Sequence, residues 1–249
     1  MFTELQYSLL KRIAPYSKDS PNNGQETRWV GEAKIKLLLG NHFLNGLQGK
    51  KVIDFGCGEG HEAIAIARLT DCTVTGLDIR ESVLETGRSS AREAGVSDRC
   101  SFTTSYEGKA DAVICIDAFE HFENPGAILS TLSDLLKPDG KVFFSFGPTW
   151  YHPLGGHLFS VFPWSHLLFS EQALIRWRSD FKSDGARRFG EVEGGLNQMT
   201  IKRFRQLVAE SPLSLEAIDC VPIGRLRPLH NPLTQEFFTA IVRGVLRKR

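Results

Sequence analysis

Residues 51–60, KVIDFGCGEG, constrain this chain more than any other stretch. A five-residue strand-forming run ends in glycines at 56, 58 and 60, and the helical pattern HEAIAIARLT begins at once. Residues without a Cβ let the backbone turn sharply there and let a ligand come close to it. A short apolar run feeding a helix through such a turn is the unit from which parallel sheets with helical faces are built.

The unit recurs. CTVTGLD is followed by helical IRESVLETGRSSAREAG, and a weaker strand reads at CSFTTS. DAVICID precedes a helix running from the NPG turn through AILSTLSDLLK, after which PDG turns the chain into KVFFSF. Strands this rich in Val, Ile and Phe suit burial on both faces, so the expected class is doubly wound α/β. Up to about Gly49 the pattern is helical, in LQYSLLKRI and then ETRWVGEAKIKLLLGNHFL. From Gly147 to Met199 the alternation fails and aromatics, histidines and glycines accumulate, as in a lid or binding loop. TIKRFRQLVAE then reads as a helix, with SLEAIDCV and FFTAIVRGVL as strands. A length of 249 residues fits one domain, divided into a helical cap (1–49), a core (50–146), a lid (147–199) and C-terminal elements (200–249).

Composition narrows the partners. A net charge of +1 demands neither nucleic acid nor an anionic membrane, and no run approaches the roughly 20 apolar residues that cross a bilayer. The N-terminus lacks the pattern of a secretion signal. The five cysteines, Cys57, Cys72, Cys100, Cys115 and Cys220, are odd in number and lack close pairing, which reads as reduced thiols in the cytoplasm.

Asp54 stands two residues before the first glycine, where a carboxylate would repel a pyrophosphate but attract an ammonium or sulfonium ion. Asp78 ends the second strand, from which a carboxylate can accept hydrogen bonds from two ribose hydroxyls. A ribose beside a positive charge, with no phosphate, describes S-adenosylmethionine. In order, VIDFGCGEG, TGLD, DAVICIDAFEHFENP and LLKPDGKVFFSF resemble the motifs of class I S-adenosylmethionine-dependent methyltransferases, as in quinone-biosynthesis and natural-product enzymes. The resemblance covers Lys50 to Phe146 closely and the C-terminal elements more loosely. It implies a mainly parallel, seven-stranded Rossmann-like sheet whose last strand is antiparallel, with the cofactor across the C-terminal edges of the first strands.

By the same resemblance, Asp54 and the loop Gly56, Cys57 and Gly58 would meet the methionine end, Asp78 the ribose and Ile79 the adenine. Asp117 and Ala118 would line the methionine portion, and Arg28 in the cap would reach its carboxylate. Ser105 stands where relatives often carry an acid for the adenine amino group; it can accept a hydrogen bond and Tyr106 can pack on the ring, or the pair fills a loop. The glycines as a plain tight turn, and Asp78 as a cap for the helix near Glu81, are the competing readings.

Glu120 and His121 match the family's acid-histidine pair. His121 holds the acceptor, or takes its proton, or is a hydrogen-bonded structural histidine, and His152, His157 and His166 are further candidate bases, His157 foremost. These histidines lack helical metal-ligand spacing and a cysteine partner, so no metal site is expected. Trp150, Tyr151, Phe159, Phe162 and Trp164 offer either an acceptor wall or lid packing. The expected activity is methyl transfer to a small-molecule acceptor, on oxygen of an aromatic, isoprenoid or natural-product substrate. The alternatives are a noncatalytic cofactor-binding partner subunit and methylation of RNA or protein. HLFSVFPWSHLLF leaves a peripheral membrane contact open.

Overall fold

A computed structural model describes residues 2–15 and 31–249. Its centre is one seven-stranded sheet: β1 (Lys51–Phe55), β2 (Thr73–Leu77), β3 (Cys100–Thr103), β4 (Ala110–Ile116), β5 (Leu136–Phe146), β6 (Leu213–Pro222) and β7 (Thr239–Lys248). The strand order is β3-β2-β1-β4-β5-β7-β6. β1 to β5 pair in parallel, and β7 runs antiparallel to both β5 and β6.

The period of two along each strand sorts its side chains onto two faces. Val52, Val74, Ala112 and Ile114 join the core under α2 (Glu32–Asn45), α3 (His61–Leu69) and α4 (Glu81–Glu93). Ile53, Val113, Cys115, Val142 and Phe144 face the opposite core, which is closed by α5 (Pro125–Leu135) and α8 (Ile201–Glu210). There Phe204 of α8 packs against Phe119, Phe144 and Phe146 with ring centroids 5.0, 4.7 and 4.8 Å away.

The remaining helices build a third layer at one end. α1 (Phe2–Ile13) packs on α7 (Glu171–Ser179) of the lid, which also carries the short α6 (Ser165–Leu168). Leu10 joins Phe159, Leu174, Trp177, Phe189 and Leu196 in a separate apolar cluster. Gln6 Oε1 accepts hydrogen bonds from the Ser170 N–H and hydroxyl, and Trp177 Nε1 donates to the Ala14 carbonyl at 3.0 Å. The two cap helices therefore serve different partners, α1 the lid and α2 the core.

Four local expectations are corrected. α2 is broken at Gly40, whose φ of 75° and ψ of 171° are not helical. The lid is not wholly irregular: EQALIRWRS forms α7, with the Ser170 side chain capping the Ala173 N–H. The PDG turn lies within β5, because Leu136 already pairs with Ala110 before the register resumes at Ala112 and Lys141. The last strand begins at Thr239, since Gln235–Phe238 form a helical turn, α9.

Candidate active site

β1 carries Asp54 between Gly76 of β2 and Ile114 of β4, at the C-terminal edge of the sheet. Its side chain is buried, 3% exposed, and Oδ2 has no hydrogen-bond partner among the described residues. Burial pushes this carboxyl well above the usual range, with Glu62 adding to the rise and Lys34 opposing it. An orphaned buried carboxylate oxygen is unfavourable unless it is protonated or a donor or cation meets it, so a positive group arriving at this end of the sheet would relieve it.

The glycine loop is stapled to β2. The Gly56 and Cys57 N–H groups donate to the Leu77 carbonyl at 2.8 and 3.0 Å, and the Gly58 N–H donates to Asp78 Oδ2 at 3.0 Å. Gly56 and Gly58 have φ of 77° and 51°, left-handed values that glycine adopts freely. Gly60, with φ of 78°, shares that geometry and also serves packing: a Cβ there would lie 2.1 Å from Phe102 Cε1.

Asp78 is 7% exposed at its side chain and also accepts from Arg80, through the backbone N–H at 2.9 Å and the guanidinium at 3.1 and 3.3 Å. Burial would raise its carboxyl, but the Arg80 and Gly58 hydrogen bonds outweigh it and hold the group below its ordinary value. Asp78 thus ties down the turn entering α4, while its oxygens lie at the crevice edge. Ile79 beside it is 93% exposed. Ser105 is exposed and closes a turn with Thr103, and Tyr106 leans on the β4 and β5 core.

At the other side of β1, Asp117 has φ of 49°, a strained value for a residue with a Cβ. It is held by the Ser145 hydroxyl, which donates at 2.8 Å, and by Lys34, whose Nζ lies 2.8 Å from Asp117 Oδ2 and 3.5 Å from Glu62 Oε1. Ala118 is buried beneath Gly56. Among the described residues, Asp54, Glu62, Asp78 and Asp117 thus lie near two cations, Lys34 and Arg80. Arg28 lies outside the described residues.

The histidine side is assembled by the lid. His121 Nδ1 is 3.0 Å from the Gly195 carbonyl, and the His121 and His157 rings stack at 5.3 Å. A side chain at Gly195 would come within 2.5 Å of the His121 carbonyl, so glycine is required for this approach. Burial, with the charge of His121, pushes His157 down to about 4, which keeps it neutral near pH 7. Glu120 is buried; its Oε1 accepts from the Gly147 N–H at 3.0 Å, Oε2 has no described partner, and burial raises its carboxyl. Ligand atoms of Glu120, His121 and His157 lie within 4.8 Å of one another, a grouping that could hold a metal ion and that the histidine spacing alone did not suggest.

His152 and His166 do not join this pair. His152 Nδ1 accepts from the Leu154 N–H, and both ring nitrogens of His166 are engaged, with Ser160 Oγ at 3.0 Å and the Trp150 carbonyl at 2.7 Å. The aromatics divide similarly: Trp150 and Phe159 pack on Phe189 inside the lid, whereas Tyr151 and Phe162 are partly exposed. Trp164 donates its indole N–H to the Tyr151 carbonyl. Lys34, Glu62, Arg80 and Gly195 were not identified from sequence, because charged helix residues and a loop glycine give no signal of where they point. A surface hollow of about 550 Å³ bounded by Gln48, Arg68 and Arg99 lies at the opposite edge of the sheet and contains none of these residues.

A family model described as a methyltransferase domain matches residues 7–210. A ubiquinone biosynthesis O-methyltransferase of Actinobacillus pleuropneumoniae serotype 5b (strain L20) is 40% identical over 111 residues, 41% of this chain and 47% of that protein. The enzyme of the same description from Shewanella pealeana is 37% identical over 117 residues, 45% of this chain and 49% of that protein. The chain thus spans about half the length of the curated relatives it matches. Among solved structures, magnesium protoporphyrin IX methyltransferase from Synechocystis PCC 6803 with bound SAH superposes with a TM-score of 0.55 at 19% identity, covering 99% of this chain and 96% of that one. A [4+2]-cyclase gives 0.53 at 13% identity, covering 81% and 76%. These two likenesses concern the fold, and the second shows that the fold accommodates more than one reaction.

Proposed function

Because the chain belongs to the methyltransferase-domain family, the class I S-adenosylmethionine-dependent enzymes, we propose that it transfers a methyl group to oxygen of a small-molecule acceptor, aromatic or isoprenoid in character. The observation that carries this reading is the buried, unpartnered Asp54 Oδ2 beside Gly56 and Gly58, one strand from Asp78. Its support for oxygen as the acceptor atom comes from relatives named O-methyltransferases.

In this reading Asp54, with the Gly56, Cys57 and Gly58 backbone, meets the cationic end of the cofactor, and Asp117 and Ala118 line the same end. Asp78 takes the ribose hydroxyls, and Ile79, Ser105 and Tyr106 border the adenine. The cofactor supplies an electrophilic methyl group. The chain has mainly to align the acceptor and exclude water, and positioning of this kind can contribute up to roughly 7–11 kcal/mol. His121, oriented through Nδ1 by the Gly195 carbonyl, presents Nε2 to take the acceptor proton, with neutral His157 stacked beside it. The lid, 147–199, forms the acceptor side. Its exposed Leu154, Phe162, Leu167 and Leu168 support a peripheral lipid contact.

Calorimetry with S-adenosylhomocysteine and with nicotinamide dinucleotides tests the cofactor, and uptake of a dinucleotide alone would overturn the assignment. Labelled methyl donor incubated with cell extract tests transfer. A labelled small molecule is expected; labelled RNA or protein would redirect the acceptor class, and silence with intact cofactor binding would favour a noncatalytic partner subunit.

A further inference from the structure

Lys34 joins the two walls of the crevice. Its Nζ lies 2.8 Å from Asp117 Oδ2, in the turn after β4, and 3.5 Å from Glu62 Oε1, in the first turn of α3 behind the glycine loop. The lysine side chain is 17% exposed and that of Glu62 13%, so salt and water screen this pair less than one on the open surface. The backbone of the cap helix is seated there as well: the Gly31 N–H donates to Glu62 Oε1 at 3.3 Å, and a Cβ at Gly31 would stand 3.3 Å from the His61 carbonyl oxygen. The start of α2 is therefore pressed against the start of α3, and Lys34 reaches from it to β4.

Asp117 needs such a hold. Its φ of 49° is a left-handed value, unfavourable for a residue with a Cβ. The carboxylate is fixed at both oxygens, by the Ser145 hydroxyl at Oδ1 and by Lys34 at Oδ2, and the Asp117 N–H donates to the Ser145 carbonyl at 2.9 Å. The turn is thus bound to β5 on one side and to α2 on the other. Ala118, the next residue, has its Cβ 3.6 Å from where a Cβ on Gly56 would stand. A shift at Asp117 therefore passes directly to the glycine loop and to the end of the crevice assigned to methionine.

We propose that Lys34 is a positioning residue for the amino-acid end of the cofactor: by joining Glu62 to Asp117 it holds the Asp117–Ala118 turn in the conformation that receives this end. This rests on the cofactor reading given above. Lys34 acts through Asp117, and the ribose and adenine, on the Asp78 side, are independent of it. Removing the ammonium leaves two carboxylates without the cation between them, and the left-handed turn relaxes.

Two nucleosides separate the ends of the site. S-adenosylhomocysteine carries the amino-acid end, whereas methylthioadenosine lacks it and keeps the adenine, ribose and thioether. Titration calorimetry with both uses the full chain and its variants. Lys34→Met should weaken S-adenosylhomocysteine about tenfold, the scale of one hydrogen bond between charged groups, and leave methylthioadenosine within about twofold of wild type. Lys34→Arg, which keeps a cation, should hold S-adenosylhomocysteine within about threefold of wild type. Lys36→Met, an exposed control paired with Glu32 on the same helix, should change neither. Asp117→Asn tolerates the left-handed turn but offers Lys34 no charge, so adding Lys34→Met to it should cost S-adenosylhomocysteine no more than about twofold further. Glu62→Gln cuts the link at its other end and should show the same selective loss, which carries the test if Lys34→Met does not fold. Equal losses for the two nucleosides in a folded variant, unchanged or tighter S-adenosylhomocysteine binding in Lys34→Met, or a full further tenfold loss in the double variant overturns the proposal. No binding of S-adenosylhomocysteine by the wild type removes instead the cofactor reading beneath it.

Discussion

The two sides of the crevice are built by opposite strategies. The carboxylate side comes from consecutive strand ends, Asp54 on β1 and Asp78 after β2, with the turn between them stapled by its own backbone N–H groups. The histidine side joins residues far apart in sequence: His121 follows β4, His157 and Gly195 belong to the lid, and α1 holds the lid from the far N-terminus. The lesson is that the cofactor half is fixed by local backbone geometry within the sheet, while the acceptor half depends on an apolar cluster of its own that can change without disturbing the first.

The largest expected effect tests that independence. Phe159→Ala removes a buried ring from the lid cluster and should destabilise the lid locally by about 3–5 kcal/mol. Hydrogen exchange should show α7 loosened while S-adenosylhomocysteine affinity stays within about threefold of wild type. A matching collapse of affinity would show that the two sides form one unit. Next, His121→Gln should lower turnover by about 10²–10⁴-fold with cofactor affinity unchanged. The same substitution at His166, whose ring nitrogens are both engaged inside the lid, should act through lid stability rather than through the pH profile of turnover.

Asp78→Ala should weaken S-adenosylhomocysteine binding by about 1–3 kcal/mol in calorimetry, since hydrogen bonds to a charged acceptor are lost. Unchanged affinity in the folded variant would remove Asp78 from the site. The smallest effect concerns Asp184, which forks with Arg178 at 2.6 and 2.5 Å. Hydrogen bonds from Arg178 hold its carboxyl well below the usual range, so the folded form binds the proton less readily than the unfolded one. This contribution is present above the ordinary carboxylate value and is lost as pH falls towards the folded one. Asp184→Asn should cost the lid no more than about 1 kcal/mol near pH 7 and flatten its stability profile below about pH 4.

The same contrast governs what could be read from the sequence. β1, its glycine turn and α3 were legible because strand period, turn residues and helix pattern lie within about twenty residues and agree with one another. Asp54 and Asp78 followed from their place at strand ends. α7 was missed because its nine residues sit in an aromatic, glycine-rich stretch, and what buries Leu174 and Trp177 is the cluster completed by α1 more than 160 residues earlier. The pairing of Lys34 with Asp117 and Glu62 was invisible for a related reason: a lysine in a helix reads as solvent-facing until the strained Asp117 turn is seen beneath it. Among the candidate histidines, His121 and His157 already stand foremost in the sequence, and folding adds that these two rings meet while His152 and His166 serve the lid backbone.

The central claim is that carboxylates at the first two strand ends receive a positively charged nucleoside. A crystal structure of the chain with S-adenosylhomocysteine tests it most directly. The account predicts ribose hydroxyls on Asp78 and the amino-acid end of the ligand between Asp54 and Gly58. Ligand bound away from both carboxylates would contradict it.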